Sequence, residues 1–222
     1  KNEFLGIAAH DLKNPLSNIS MIADTIKLYS EQLNKDKLMK MIDNIKITSK
    51  RMTDIIVNLL DVNAIDSGNI HLDIQEISPN EILKEIYDSY SDKASKKSIK
   101  LNLELLSEDI AIKYDERTGR EILDNLLSNA IKFSPYNKEI TIRAKRLKGE
   151  GLFLSIIDQG PGISEDDKNK LFTKYTKLSA RPTAGENSTG LGLSIVKKLA
   201  DLLDSSVYCE SEQGKGAEFI LH

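Results

Sequence analysis

Four polar side chains recur at a helical spacing in the stretch EILDNLLSNAIKFS, residues 121–134. Glu121, Asn125, Asn129 and Lys132 stand at i, i+4, i+8 and i+11, which places an acid, two amides and an ammonium group on one helix face. Amide and carboxylate oxygens suit Mg²⁺, a hard cation that also keeps substrate phosphates in its shell. The stripe therefore indicates a metal or phosphate site, and a plain solvated helix face is the alternative.

Two glycine-containing turns could serve the same ligand. In IIDQGPGIS an apolar strand ends at Asp158, and Gly160 and Gly162 then allow a tight turn. An acid in that position can accept a proton from a ligand's amino group. The alternative is a common β-turn, which has the same sequence pattern. In STGLGLSIV, Gly190 and Gly192 precede a helix whose bare N–H groups and dipole favour phosphate. Helix-entry geometry alone is the alternative for this pair.

A third segment, FLGIAAHDLKNPL at residues 4–16, resembles an amphipathic helix but contains more than packing needs. A packing helix has no use for His10, and Pro15 removes one backbone hydrogen bond. The apolar positions around His10 place it off the core seam and facing solvent. The segment therefore indicates a histidine with a chemical role.

These segments lie in two regions of the chain with different predicted structures. Residues 1–66 have apolar residues at spacings of three, four or seven, which predicts two long helices. The short polar stretch at Asn34–Lys37 predicts the turn of an antiparallel hairpin between them. Because one hairpin buries little surface, we expect a second copy to complete a four-helix bundle, so that the chain is a homodimer.

Residues 67–222 mix strands and helices without strict alternation, which predicts an α/β sandwich with helices on one face of a mixed sheet. A long loop rich in Lys, Ser, Thr, Gly and Pro covers residues 174–189. Helices are predicted at 79–95 after the cap Ser78, at 116–133, near 164 and at 190–203. The predicted strands are NIHLDIQEI (69–77), SIKLNLEL (98–105), DIAIKY (109–114), KEITIRAKRL (138–147), LFLSIID (152–158), SVYCES (206–211) and AEFILH (217–222).

Composition excludes several classes of protein. With 31 basic and 34 acidic residues, the net charge is −3, which does not fit a nucleic-acid binder. The single cysteine, Cys209, allows no internal disulfide and fits a reducing compartment. No apolar run approaches the roughly 20 residues that span a bilayer. We expect a cytoplasmic piece of a longer protein without membrane contact of its own, since the chain begins inside a helical pattern.

Taken together, the motifs HDLKNPL (10–16) and NLLSNAIKFSP (125–135) resemble those of sensor histidine kinases. The resemblance covers nearly the whole chain. It implies a dimerisation and phosphoacceptor hairpin at residues 1–66. It also implies an ATP-binding domain at residues 67–222, of the fold shared with gyrase, heat-shock-90 and mismatch-repair ATPases.

The resemblance assigns roles to the first motif. It implies that His10 accepts the phosphoryl group, which suits a neutral imidazole nitrogen that is nucleophilic near pH 7. Asp11 resembles the acid that sets the tautomer of His10 and acts as its base. Asn14, one turn later, resembles the residue that positions water for dephosphorylation. Pro15 would let the helix bend and move His10 relative to ATP, and a tolerated kink is the alternative.

In the second domain the resemblance implies an ATP site with Mg²⁺ held at Asn125 and Asn129. Two positions depart from the family: Ser188 stands where Gly is frequent, and Ala217 stands where Ser or Thr is more frequent. Gly214 and Gly216 resemble the last glycine box. The implied nucleotide-binding residues are Asn125, Asn129, Lys132, Tyr136, Asp158, Gly160, Gly162, Ile163, Phe172, Tyr175, Lys177, Thr189, Gly190, Leu191, Gly192 and Leu193.

The expected function is therefore autophosphorylation of His10 by ATP and transfer to an aspartate of a response-regulator receiver domain, with dephosphorylation of that partner as a second activity. Two alternatives remain at this point. The spacing of Glu121 and Asn125 matches gyrase-type ATPases, in which the Glu activates water, so the chain could be a hydrolytic switch. It could also be a non-catalytic dimer that binds nucleotide to change shape. The motif HDLKNPL favours the kinase, because neither alternative needs a phosphoacceptor.

Overall fold

A computed structural model describes residues 2–66, 71–149, 151–174, 176, 178–183 and 190–222. The side chains of residues 2–11, 58, 61, 62, 64 and 66 lie outside that description. The chain divides into two compact units, residues 1–68 and residues 69–222. The first is the helical unit and the second is the sheet unit.

The helical unit is a hairpin of two long helices, α1 (Asn2–Tyr29) and α2 (Lys35–Asp66). The predicted turn at 34–37 is wrong by several residues, because the connection is residues 30–34. Asn34 begins α2 as its cap: its Oδ1 accepts the N–H of Lys37 at 2.9 Å. The polar run after Asn34 therefore forms the first turn of a helix, where a capping amide stabilises the unpaired N–H groups.

Pro15 lies inside α1 and does not end it. Pro15 is buried, as are Ile55 and Ile65 of α2. Many other large apolar side chains of the unit remain exposed. They are Leu16, Met21, Leu28, Tyr29, Met39, Ile42, Ile47, Ile56, Val57 and Leu60.

The sheet unit contains the elements that its sequence pattern predicts, most of them with small changes at the ends. Two predicted strands are wrong over part of their length: among the described residues, the strand predicted at 69–77 covers only Ile74–Ile77, and the one predicted at 109–114 begins at Ile112. Ser78 and Asp115 accept N–H groups of the first turns that follow them and so cap two of the helices. The elements are β1 (Ile74–Ile77), α3 (Pro79–Ser95), β2 (Lys100–Glu104), β3 (Ile112–Asp115), α4 (Glu116–Phe133), β4 (Glu139–Leu147), β5 (Gly151–Asp158), α5 (Glu165–Lys168), α6 (Gly192–Leu202), β6 (Val207–Ser211) and β7 (Ala217–Leu221).

Five strands form one mixed sheet in the order β2-β4-β5-β7-β6. Only the β2–β4 pair is parallel, so the chain must cross over between them, through β3 and α4. The strands β1 and β3 do not join this sheet and instead pair antiparallel with each other. The mixed sheet is confirmed, and the separate two-stranded sheet is a feature that the pattern did not predict.

The core of the sheet unit lies between one face of the five-stranded sheet and the helices α3, α4 and α6. Alternate residues of β4, Ile140 and Ile142, are fully buried on this face, as a period of two requires. The other face carries ion pairs between strands, such as Arg143 of β4 with Glu104 of β2. Within the described ranges, no helix is both long and apolar enough to cross a membrane.

Candidate functional site

The polar stripe of α4 faces the beginning of α6. A β-carbon added to Gly192 would lie 3.1 Å from Oδ1 of Asn125 and 3.8 Å from Nδ2 of Asn129. Nδ2 of Asn125 donates to the carbonyl oxygen of Glu121 at 3.0 Å, and this hydrogen bond orients the amide. The structure therefore brings both asparagines and Gly192 together, and the amide of Asn125 can lie this close because Gly192 has no side chain.

Among the described residues, no side chain caps the N-terminus of α6. Leu191 occupies the N-cap position, where α3 and α4 have Ser78 and Asp115. Gly190 before it has φ = 68°, a conformation that glycine adopts without strain. An uncapped first turn leaves N–H donors and the positive end of the helix dipole next to Asn125, an arrangement that favours an anion.

Asp158 ends β5 as a buried carboxyl group, only 7% exposed. Burial raises its pKa to about 6, although the N–H groups of Gly160 and Ala217 act in the opposite direction. The N–H of Gly160 donates to Oδ1 of Asp158 at 2.7 Å. The site thus holds a hydrogen-bond acceptor inside an apolar surrounding, where a donor on a ligand would relieve the cost of burying its charge.

The turn after Asp158 is packed against the β6–β7 hairpin. A β-carbon on Gly162 would lie 2.1 Å from the carbonyl oxygen of Glu212, and one on Gly216 would lie 2.0 Å from the carbonyl oxygen of Asp158. The N–H of Gly214 donates to the carbonyl of Pro161 at 2.7 Å. Gly162 and Gly216 are therefore required by close backbone approach, which holds the buried acid in place.

Asp158 and Asn129 both line a cavity of about 60 Å³ whose other walls are almost wholly apolar. An acceptor set among apolar walls suits a flat heterocycle with an amino group. The lining residues are Asn129, Ala130, Phe133, Asp158, Pro161, Gly162, Ile163, Leu171, Leu178, Ala180, Leu193, Ala217 and Phe219.

The predicted site residues do not all meet at this cavity. Asn125, Gly190, Leu191 and Gly192 form its neighbouring anion-favouring corner. Tyr136 is 51% exposed and, like Phe172 and Lys132, is not among the described lining residues. The predictions for Tyr175, Lys177 and Thr189, and for the side chains of His10 and Asp11, fall outside the described residues.

The sequence analysis missed Lys97, which follows α3 and is only 6% exposed. Its Nζ donates to the carbonyl oxygens of Ile131 and Lys132 at 2.7 and 3.2 Å and to Oγ1 of Thr183 at 2.7 Å. A buried lysine needs such partners. The available signal was a lysine directly before a predicted strand, which reads equally well as a surface residue.

Ser134, directly after the cavity-lining Phe133, is a second residue that the sequence analysis passed over. Its hydroxyl is fully buried and has no hydrogen-bond partner among the described residues. An unpartnered buried hydroxyl costs free energy, and a further polar group at this place would recover it.

Two family models match the chain. The model of the His Kinase A (phospho-acceptor) domain matches residues 1–68. The model described as histidine kinase-, DNA gyrase B-, and HSP90-like ATPase matches residues 114–222. The first covers the helical unit and the second covers α4 and everything after it.

Two relatives agree with these matches. The adaptive-response sensory kinase SasA of Crocosphaera subtropica is 27% identical over 99% of this chain and 58% of its own length. The aerobic respiration control sensor protein ArcB of Escherichia coli is 29% identical over 100% of this chain and 28% of its own length. The chain therefore spans less than two thirds of the curated relatives that it matches.

Solved structures share the fold. The histidine kinase AdeS of Acinetobacter baumannii aligns over 96% of both chains with a TM-score of 0.73 at 18% identity. Histidine kinase ThkA, solved in complex with response regulator protein TrrA, aligns over 99% of this chain and 60% of its own with a TM-score of 0.74 at 24% identity. With both domain families matched in this order and sensor kinases as relatives, the chain belongs to the sensor histidine kinases and forms a catalytic core of that family.

Proposed function

We propose that this chain is an ATP-dependent protein histidine kinase of a two-component system. Residues 67–222 bind Mg-ATP, and residues 1–66 provide the phosphoacceptor His10. The observation that carries the proposal is the joint placement of the buried Asp158, the two amides and the open N-terminus of α6 at one end of the sheet unit. The buried Asp158 suits the base of a nucleotide, the N-terminus of α6 suits its phosphates, and the two amides suit a metal ion.

The residues present fit a purine nucleotide. Asp158 accepts a hydrogen bond from the amino group of adenine, which would be held between the apolar walls of the cavity. The phosphates reach the first turn of α6, where the amide of Asn125 lies against Gly192 and the N–H groups favour negative charge. Any side chain at Gly192 would push against that amide.

The residues also fit Mg²⁺. Within the described residues no cluster of three carboxylate, imidazole or thiol groups could hold a metal. Mg²⁺ instead takes amide oxygens together with waters and substrate phosphates, which agrees with Asn125 and Asn129 as its protein ligands. When bound, the ion would neutralise charge that develops on the phosphate oxygens.

His10 attacks the γ-phosphorus with its free ring nitrogen. The bond from that phosphorus to the bridging oxygen breaks, and ADP leaves with the oxygen. Asp11 orients the imidazole by accepting from its other nitrogen and then takes the proton, so that a neutral phosphoimidazole remains. Both residues lie on α1, one after the other.

The phosphoryl group then passes to an aspartate of a receiver domain. Support comes from the relative ThkA, which was solved with a response regulator. Asn14 lies one helical turn after His10 and is exposed, and its proposed role is to orient water toward the aspartyl phosphate, so that hydrolysis returns the aspartate and releases inorganic phosphate. Use of ATP would place this part of the protein in the cytoplasm.

The working form is a homodimer. Among the exposed apolar side chains of the helical unit, Met21 is 62%, Ile47 66% and Leu28 73% exposed. An exposed apolar surface of this extent on two helices suits burial against a second copy in a four-helix bundle. Light scattering at micromolar concentration should give twice the chain mass, and a monomer would contradict the dimer.

The phosphoacceptor family match at residues 1–68 favours the kinase over both alternatives. A hydrolytic switch using Glu121 or a nucleotide-binding scaffold would have no use for that domain. The deciding experiment is incubation with γ-labelled ATP and Mg²⁺. The chain should take up a label that is stable to base and lost in acid, and His10→Ala should abolish it while ATP binding persists. Label that persists in His10→Ala would refute the assignment.

A further inference from the structure

Lys97 and Thr183 form a contact that no part of the proposed reaction uses. Lys97 lies in the turn after α3, and the next residue, Ser98, has φ = 53°. Its ammonium group donates to two carbonyl oxygens in the last turn of α4 and to the hydroxyl of Thr183. A cation is favourable at the C-terminus of a helix, but the third donor is directed to a distant part of the chain, 86 residues away.

Both the hydroxyl group and the backbone N–H of Thr183 form hydrogen bonds. Its N–H donates to the carbonyl oxygen of Lys132 at 3.0 Å. Its Oγ1 accepts from Lys97 and donates to the carbonyl oxygen of Ser134 at 2.8 Å. The Thr183 side chain thus completes a junction of three segments: the turn after α3, the end of α4 and the loop that leads toward α6.

The same loop reaches the nucleotide cavity. Leu178 and Ala180 line it, as Asp158 does. Between them, Ser179 donates through its N–H and its hydroxyl to Asp167. These hydrogen bonds from Ser179 hold the pKa of Asp167 below its ordinary value. Residues 178–183 are therefore fixed at two points, Ser179 and Thr183; of the cavity-lining residues, Leu178 directly precedes the first point and Ala180 lies between the two.

We propose that Lys97 is a positioning residue for the nucleotide: it fixes Thr183 to the end of α4 and so holds Leu178 and Ala180 as one wall of the base cavity. This inference rests on the proposed ATP site. It concerns affinity for the base and not the transfer step, because Lys97 touches the loop and the helix end. Loss of the contact should raise the Kd and KM for ATP while phosphohistidine yield at saturating ATP stays unchanged.

The test uses the whole chain with Mg²⁺ and ATP in isothermal titration calorimetry. Thr183→Val keeps the shape of the side chain and removes the hydroxyl, and Thr183→Ser keeps the hydroxyl. The hydrogen bond to a charged donor predicts about tenfold weaker ATP binding for Thr183→Val, and near wild-type binding for Thr183→Ser. Hydrogen exchange of the amides at 178–183 should be faster in Thr183→Val only.

Lys97→Met should weaken ATP binding in the same direction, and adding Thr183→Val to it should cost less than Thr183→Val alone, since the hydrogen bond between the two side chains is then already absent. Lys96→Met, at the exposed neighbouring lysine, is the matched control and should bind as the wild type. If Lys97→Met does not fold, the Thr183 pair still decides. A wild type that fails to bind ATP would refute the proposed function, and this inference with it. Normal ATP binding by both wild type and Thr183→Val would refute the inference alone.

Discussion

Asp158→Asn should make the protein more stable at neutral pH while it weakens nucleotide binding. In the folded chain burial raises the pKa of Asp158 from its ordinary value near 3.8 to about 6. The folded state therefore binds the proton more tightly than the unfolded state. The wild type has its full share of this stability below pH 3.8 and loses it as the pH rises through 6. At 1.36 kcal/mol per pH unit, keeping the carboxylate ionised at pH 7 costs about 3 kcal/mol.

Replacing the carboxylate of Asp158 by an amide does not recover all of this free energy of about 3 kcal/mol. The carboxyl group accepts N–H groups from Gly160 and Ala217, and an amide has only one oxygen with which to accept. One lost hydrogen bond costs about 1 kcal/mol. We therefore expect Asp158→Asn to be less stable than the wild type by about 1 kcal/mol below pH 4 and more stable by about 2 kcal/mol at pH 7. The two stability curves should cross between these values.

Thermal unfolding followed by circular dichroism from pH 3.5 to 8 measures this difference. About 2 kcal/mol corresponds to a melting temperature roughly 4 °C or more higher for a chain of this size. Asp166→Asn, at an exposed acid of α5, is the control and should show no crossing. In calorimetry at pH 7, Asp158→Asn should bind ATP roughly ten- to a hundredfold more weakly, because a charged acceptor for the base is lost.

Two results would refute this reasoning. A melting temperature below that of the wild type throughout pH 6–8 would mean that the buried carboxylate is not destabilising. A difference between the two proteins that does not change with pH would mean that Asp158 titrates alike in the folded and unfolded chain. Unchanged ATP affinity would separately remove Asp158 from the nucleotide site.

Three further predictions concern other residues of the site. Gly192→Ala should fold normally but bind ATP about tenfold more weakly, because the added carbon would displace the amide of Asn125; affinity equal to wild type in calorimetry would contradict this. Glu121→Gln should leave the slow release of free phosphate nearly unchanged. A loss of roughly a hundredfold, as for a missing general base, that His10→Ala does not share would instead support the hydrolytic switch. Asn14→Ala should reduce dephosphorylation of a partner receiver more than autophosphorylation, and equal loss of both would show a structural role.

Local pattern was sufficient for most elements of the sheet unit. The cap Ser78 with Pro79 fixed the start of α3, and the stretch 116–133 was predicted to the residue, because both depend on neighbours in sequence. The separate pairing of β1 with β3 was not predictable in this way. Strand pairing depends on contacts far apart in the chain, and a four-residue strand such as Ile74–Ile77 carries no mark of its partner.

In the site, too, features that depend on sequence neighbours were predictable and features that depend on distant contacts were not. The spacing of Asn125 and Asn129 placed both amides correctly on one face, since helix geometry alone determines it. Lys97 could not be found, because its role depends on the end of α4 and on Thr183. Gly216 was assigned by resemblance. Only the structure shows its physical reason, which is contact with the backbone of Asp158.

The position of β5 in the sheet has a consequence for how the protein is made. Its strand partner β7 follows about 60 residues later, since Asp158 pairs with Ala217. At about 5–20 residues per second, the ribosome leaves one edge of β5 unpaired for roughly 3–12 s. That edge belongs to the apolar run LFLSII, residues 152–157, which is the kind of segment that associates with other chains.

The delay between the synthesis of β5 and that of β7 affects the nucleotide site as well as the solubility of the chain. Until β7 and Gly216 emerge, nothing closes the hairpin side of the turn at Asp158–Gly162. A nascent chain that ends before residue 207 should therefore be aggregation-prone and unable to retain nucleotide, while one that includes residues 207–222 should stay soluble and retain it. For this domain, the last strands to be synthesised protect the chain and complete the site in the same step.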